Sequence, residues 1–303
     1  LEKRQLGNSD LLVSKIGLGC MSLGTDLNKA TKIIEAALDG GINYFDTADL
    51  YDYGVNEKIV GKVLSSRRDE VIIATKVGNR WNEQKDGWRW DPSKKHIKSA
   101  VKESLRRLRT DYIDLYQLHG GTIEDPIDEI IEAFEELKAE GLIRYYGLSS
   151  IRPNVIKAFA EKSAVISNMM QYSLLDRRPE ELMPVLEKHN ISIVTRGSVA
   201  KGILSDKFLN EGIQDDYLHY SASELTELIE NIKSKLLYDK RTLNEVALQF
   251  NLAHNAVRAV VIGSSSVEQL NENIRAAQAA PFEKEELAFL KMITKENIYT
   301  THR

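Results

Sequence analysis

Short apolar runs alternate with amphipathic stretches along the whole chain, and this alternation constrains the fold more than any other feature. Val13–Leu18 reads as a strand and Lys29–Asp39 as a helix, stopped by Gly40 and Gly41, residues suited to a helix C-terminus. Asn43–Asp46 with Asn56–Leu64 repeats the unit, as does Val71–Thr75 with Pro92–Leu108; Pro92 suits a first helical turn, where its missing N–H is not needed. The beat continues as Ile113–Leu118 with Pro126–Glu140, Tyr145–Leu148 with Asn154–Glu161, Ile166–Met170 with Glu180–His189, and then Ile191–Thr195. Lys201–Tyr220 interrupts it with a polar excursion, longer than an ordinary connection. Helical pattern returns over Ser223–Leu236 and Thr242–Asn251, a last strand covers Val257–Ile262, and helices follow over Val267–Ala276 and from Phe282 to about Glu296.

Strands that are apolar on both faces and separated by helices call for a parallel sheet with right-handed crossovers. Eight such units in 303 residues predict an α/β fold, the (β/α)8 or TIM barrel. One domain over residues 1–303 is expected, with an N-terminal hairpin and extra C-terminal helices; an open doubly wound sheet is the alternative. Charge narrows the partners: 41 basic against 45 acidic residues leave a net of −4, which offers no surface to nucleic acid or an anionic membrane. The single cysteine, Cys20, excludes an intrachain disulfide. No run of 18 apolar residues exists, and the first five residues lack an apolar signal core. A cytoplasmic monomer acting on a small molecule is the expectation.

In a barrel of this kind chemistry gathers at the C-terminal ends of the strands. The first polar residue after the second run is Asp46, after the third Lys76 and after the fourth His119. Ser149 and Ser150 follow the fifth, Gln171 the sixth, and Thr195 and Arg196 the seventh. Each alone has a plain structural explanation: an Asp caps, a Lys reaches for water, a His packs. Together, on neighbouring strands, they form an acid, a base and an imidazole within reach of one another. The other five histidines lie in helices, loops or the terminus. The segment Asp46–Gly54 holds two tyrosines, Tyr51 and Tyr53, and can fold one of them back over the mouth. A free phenol is a poor acid at neutral pH, but an adjacent ammonium favours the phenolate. Such a tyrosine would protonate a carbonyl oxygen while hydride reaches its carbon, with the imidazole orienting the carbonyl. General-acid help of this kind is typically worth ~10²–10⁴-fold. No metal is required, because a cofactor carries the hydride.

GINYFDTADLYDYGVNEKIVG (Gly41–Gly61) resembles a signature of the aldo-keto reductase superfamily, and ATKVGNRW, DYIDLYQLH, AEGLIRYYGLSS, MMQYSLLDRR and VVIGSSSVEQLNEN follow in family order. The resemblance is closest to the bacterial branch that also resembles potassium-channel β subunits. It implies a catalytic tetrad of Asp46, Tyr51, Lys76 and His119; Tyr51 is preferred to Tyr53 because it stands five residues after the Asp. It implies a nicotinamide cofactor held by Ser149, Ser150 and Gln171 at the carboxamide, with Ser150 standing where the family has Asn. Arg196 occupies the place of a stacking aromatic residue, and a guanidinium plane can stack in its stead. Gly197, Ser198, Val199, Ala200, Lys201 and Gly202 correspond to the loop under the pyrophosphate. Gly263, Ser265, Gln269, Glu272 and Asn273 match the adenosine end. Ser264–Ser266 replace the usual Lys or Arg near a 2′-phosphate, and hydroxyls with a helix N-terminus can still bind a phosphate. NADP(H) is therefore expected, with NAD(H) the alternative.

Gly17-x-Gly19 invites a dinucleotide-fingerprint reading, which fails because Ser22 stands where the third glycine belongs. A tight turn accounts for those glycines, and Cys20 and Met21 are expected to line the mouth beside the cofactor. Trp81, Trp88 and Trp90, all the tryptophans of the chain, fall on one loop after Lys76; they either pack that loop or wall an apolar substrate pocket. Two rival functions remain. A nucleotide-binding sensor or regulatory subunit with little turnover is disfavoured by His119. A metal-dependent hydrolase is disfavoured by the lack of H-x-H or H-E-x-x-H spacing.

Overall fold

The computed structural model describes residues 1–206, 208–211, 213–237 and 241–303; Lys207 and Gly212 of the polar excursion lie outside the described residues. Strands β1 (Lys3–Gln5) and β2 (Leu12–Ser14) pair antiparallel as a hairpin. Leu6, Leu11 and Val13 are buried in one cluster with Tyr44, Leu115, Val194 and Ala259, so the hairpin plugs the floor of the sheet behind it. The run Val13–Leu18, expected as one strand, is therefore two. The chain breaks at Lys15, whose amide donates to the Glu2 carbonyl at 2.9 Å, and β3 begins afresh at Ile16–Gly19.

Next come β4 (Tyr44–Asp46), β5 (Ile72–Val77), the short pair β6 (Asn79–Trp81) and β7 (Trp88–Trp90), and β8 (Ile113–Leu118). The last four are β9 (Ile143–Leu148), β10 (Ser167–Gln171), β11 (Ser192–Arg196) and β12 (Val257–Gly263). Eight of these close on themselves in the order β3-β4-β5-β8-β9-β10-β11-β12, with every pairing parallel. Closure excludes the open sheet. The β6–β7 pair is an antiparallel hairpin outside the barrel.

Helices α1 (Leu27–Asp39), α2 (Val55–Leu64), α3 (Lys94–Leu108), α4 (Ile127–Ala139) and α5 (Pro153–Lys162) cover the first half. Their starts are set locally: Asp26 accepts from the Asn28 and Lys29 amides, and Ser93 from the His96 amide. The stretch Glu180–His189 is not one helix. A 3₁₀ turn over Arg178–Glu181 gives way to α6 (Met183–Lys188), because Pro184 has no N–H to offer the preceding turn. Then follow α7 (Phe208–Glu211), α8 (Ala222–Leu236), α9 (Leu243–Leu252), α10 (Val267–Gln278) and α11 (Lys284–Ile293). Capping boxes at Ser221 and Thr242 open α8 and α9. No helix among the described residues is long and apolar enough to cross a membrane.

The period of two along each strand positions the site. On β4, Tyr44 faces the barrel interior and Phe45 the helices; on β5, Ile72 and Ala74 face in and Ile73 out. Continuing the inward face by two residues brings Asp46 from β4, Lys76 from β5 and, past Leu115, Gln117 from β8. The apolar interior thus ends in a polar layer at the C-terminal rim. Gly17 contributes by absence, since a Cβ there would fall 2.5 Å from Tyr44 Cδ1, whose ring fills the space.

Candidate active site

Lys76 is 1% exposed and Asp46 3%, a burial neither charge tolerates without partners. The Lys76 ammonium donates to Asp46 Oδ1 at 2.5 Å, to the Thr47 carbonyl at 2.8 Å and to the Tyr51 hydroxyl oxygen at 3.3 Å. Three acceptors meet its three protons. Gln117 Nε2 donates to the other Asp46 oxygen at 3.1 Å. Burial works against the ammonium, but Asp46 and Tyr51 together outweigh it and hold the Lys76 pKa above the ordinary lysine value.

Tyr51 is aimed by a turn of unusual backbone. Asp52, Tyr53 and Gly54 have φ of 48°, 51° and 82°, and each non-glycine residue in that region costs roughly 1–2 kcal/mol. The turn is held from below. A Cβ at Gly54 would sit 2.8 Å from Arg107 Cδ; Arg107 donates to Glu57 Oε2 at 2.6 Å, and Thr75 Oγ1 donates to Glu57 Oε1 at 2.6 Å. Asn56 accepts from Thr47 Oγ1 at 2.6 Å and donates to the Cys20 carbonyl at 2.8 Å. Strain at Tyr51–Gly54 is thus countered by buried polar bonds one residue layer away.

His119 extends β8 by one residue, its amide donating to the Val77 carbonyl at 2.8 Å. Its ring meets that of Tyr51 edge-on, centroids 6.0 Å apart. Burial, with Lys76 and Arg196 nearby, pushes its pKa down to about 3, so the imidazole is neutral at ordinary pH. Nδ1 is buried with no partner among the described residues, which leaves Nε2 as the nitrogen available to a carbonyl.

Two cavities open on this corner. One of ≈ 790 Å³ runs from Asp46 and Tyr51 past Gln171, Arg196 and Gly197 to Gly263. The other, of ≈ 350 Å³, holds His119, Ser149, Ser150, Trp88 and Trp90; Met169 and Arg196 border both. Gln171 Nε2 donates to Asp176 Oδ2 at 3.0 Å, Arg196 donates to Gln171 Oε1 at 3.1 Å, and Arg178 grips Asp176 through both oxygens at 2.7 Å. The larger cavity has the features a dinucleotide needs. Its wall is free of side chains at Gly19, Gly197 and Gly263, Arg196 and Lys201 lie along it, and Gln171 offers an amide beside the tetrad.

Several assignments need correction. Met21 lines the larger cavity, 64% exposed, but Cys20 does not; it is fully buried in the core, and burial pushes its thiol pKa up. Trp88 and Trp90 line the smaller cavity, whereas Trp81 stacks edge-on against Tyr53 at 6.4 Å and lies under Arg107. Trp81 pairs with Trp88 across the hairpin and shares its face, but its ring lies in a separate cavity with Asn79 and Arg107. Of the segment 197–202, Gly197, Val199 and Lys201 face the cavity, while Ser198 and Ala200 are buried and they and Gly202 do not line it. Ser265 donates twice to Gln269 Oε1, at 2.8 and 3.3 Å, and Glu272 is exposed beyond them. Asn273 is buried, its amide bonded to Ser264 Oγ at 3.1 Å and Asn244 at 2.9 Å, so it braces the Ser264 loop from behind.

Two contributors were not anticipated. Gln117 was discoverable, two residues before His119 on the same inward face. Asn168 exchanges two hydrogen bonds with the Ser150 backbone, at 3.2 and 3.1 Å, across the thinnest seam of the barrel, where β9 and β10 share only Leu148–Asn168. Nothing in its local sequence marks it. No group of three metal-ligating side chains occurs among the described residues.

Comparison with known proteins agrees with this geometry. Residues 15–295 match the model of the aldo/keto reductase family. The chain is 57% identical to an uncharacterized oxidoreductase of Bacillus subtilis, YqkF, over the full length of both, and 28% identical to L-galactose dehydrogenase of Arabidopsis thaliana over 91% of this chain and 88% of that one. Among solved structures it overlays the holo form of aldo-keto reductase AKR11C1 from Bacillus halodurans with a TM-score of 0.95 at 57% identity, covering 100% of this chain and 99% of the other. The apo form of the same protein gives a TM-score of 0.86 at 53% identity with the same coverage.

Proposed function

The chain belongs to the aldo/keto reductase family, and from that premise we propose that it reduces aldehyde or ketone carbonyls to alcohols, with NADP(H) as the preferred cofactor. The observation that carries this reading is the contact of the buried Lys76 ammonium with the Tyr51 hydroxyl, beside the neutral imidazole of His119 and at one end of the long cavity. A reduced nicotinamide, when bound, supplies the hydride. Tyr51 gives its hydroxyl proton to the carbonyl oxygen, and Lys76 stabilises the phenolate that remains. Asp46 and Gln117 keep Lys76 charged and aimed. His119, uncharged, donates a hydrogen bond through Nε2 and fixes the carbonyl's direction without competing for the proton.

Gln171, Ser149 and Ser150 would hold the carboxamide, Arg196 would lie against the ring, and Gly197, Val199 and Lys201 would pass under the pyrophosphate. Toward a 2′-phosphate the chain offers Ser265 and Gln269 at the start of α10, which pair with each other and would open toward the ligand.

Purified protein with NADPH or NADH and a nitrobenzaldehyde, followed at 340 nm, tests the reading. Steady oxidation by the wild type, a loss of roughly 10²–10⁴-fold in Tyr51→Phe, and a lower KM for NADPH are expected. Nucleotide binding without turnover on any aldehyde would return the sensor reading in its place.

A further inference from the structure

The smaller cavity carries an uncompensated positive charge. Arg152 lines it together with His119, Trp88, Trp90 and Arg196, and no Asp or Glu is among its lining residues. The Arg152 guanidinium donates to the Gly121 carbonyl and makes no ion pair among the described residues. Arg196 likewise donates only to the Gln171 amide there. Of the two carboxylates on the neighbouring loop, Glu124 is exposed and does not line the cavity, and Asp125 is taken up elsewhere: Trp90 Nε1 donates to it at 3.0 and 3.1 Å, and the Thr122 amide at 2.6 Å. A half-buried guanidinium facing a cavity, with no carboxylate of its own, is a receptor for a planar anion, which it can grip with two parallel hydrogen bonds.

Position gives that charge a role. Arg152 is the residue immediately before α5, and its amide is fixed by Ser150 Oγ at 3.3 Å. Ser150 is in turn locked to Asn168. The guanidinium therefore stands on a rigid strand-end loop and lines the same cavity as the imidazole proposed to orient the carbonyl. Trp90 is pinned between Asp125 and the bare backbone of Gly78, where a Cβ would fall 2.4 Å from its ring. It supplies an apolar wall between the two polar ends.

Resting on the carbonyl-reductase reading, we infer that the preferred substrates are aldehydes carrying a carboxylate at the far end of a short apolar spacer, with Arg152 as the specificity-determining residue. The carbonyl takes hydride from the reduced nicotinamide and the proton from Tyr51; the carboxylate binds Arg152 and is unchanged.

The test uses paired substrates, 4-carboxybenzaldehyde against its neutral methyl ester and succinic semialdehyde against butanal, with wild type, Arg152→Met and Arg152→Lys. Because reactivity differs within a pair, the readout is how each substrate's kcat/KM changes between proteins. Arg152→Met should lower kcat/KM for the carboxylates by roughly tenfold or more, what one charge-assisted hydrogen bond supports, chiefly through KM. The neutral partners should stay within about twofold, and Arg152→Lys should recover part of the loss because the charge remains. In the wild type, added salt should raise KM for the carboxylates alone. An equal loss on charged and neutral substrates would mean that Arg152 merely braces Gly121, and salt-independent KM values would mean that no charge is read; either overturns the inference while leaving carbonyl reduction intact. A wild type that reduces none of the four sinks the functional reading and the inference with it.

Discussion

The two sides of the barrel mouth are built on different terms. On the β4–β5 side, Asp46 and Lys76 are almost wholly removed from water, and the Lys76 ammonium and both Asp46 oxygens are all hydrogen-bonded. On the β10–β11 side, an exposed Arg196 reaches Asp176 through the Gln171 amide, over bonds of 3.0–3.1 Å. A desolvated pair cannot lose one member without leaving the other stranded. The Arg196–Gln171 bond, exposed at its outer end, can exchange for water at little cost, while Asp176 beneath it is buried and held by Arg178. On the proposed function the difference separates two tasks: the corner that would handle the proton is preset, while the outer rim that would admit and release the nucleotide is less deeply buried.

Lys76→Met strikes the preset side. It leaves the Asp46 carboxylate without its cation, and a loss of about 3–5 kcal/mol in unfolding free energy is expected, measured by urea denaturation followed by far-ultraviolet circular dichroism. A loss below about 1 kcal/mol would erase the contrast.

His119 sharpens it through pH. Its folded pKa of about 3 lies below the unfolded value of about 6.5, so below the latter the unfolded chain binds a proton that the folded chain refuses. Stability from this residue is intact above pH ~6.5 and falls as the pH drops toward the folded value, by at most about 1.4 kcal/mol per pH unit. Unfolding titrations of wild type and His119→Gln should diverge in slope over that window and run parallel above it. Parallel curves throughout would mean that the imidazole is not desolvated.

The smallest effect belongs to the outer rim. Arg196→Ala should change stability by less than about 1 kcal/mol and weaken NADPH binding by roughly two- to fivefold, the worth of an exposed cation over an aromatic face, read by calorimetric titration. A stability loss as large as that of Lys76→Met would show the rim to be as rigid as the corner.

What could be read from the chain follows the same division. Asp46, Lys76 and His119 were legible because each ends a buried strand, where the period of two leaves no choice of face. The closed barrel was legible from eight repeated units. The cavity reached by Trp81 was not, since β6 and β7 are three residues each and lie outside the barrel, where no packing against the core dictates which way a ring leans. Cys20 and Asn273 match ligand contacts by position in a motif, yet both are buried, Cys20 in a 3₁₀ turn and Asn273 within α10, and which side of such a turn or helix is covered is decided by tertiary packing. Asn168 and Arg152 act across strand seams, through partners 18 and 31 residues away, and distances of that kind leave no local mark.

All three tryptophans belong to one small hairpin at the lip of the mouth, Trp81 and Trp88 paired across it and Trp90 tied to Asp125. The tryptophan emission of this protein, excited selectively over tyrosine, is therefore an optical readout of a segment of about a dozen residues rather than of the molecule. A ligand lying between Trp88 and Trp90 would change its colour and intensity with the barrel untouched. A denaturation curve recorded at that wavelength describes the lip, and it stands for global unfolding only where it coincides with a backbone signal.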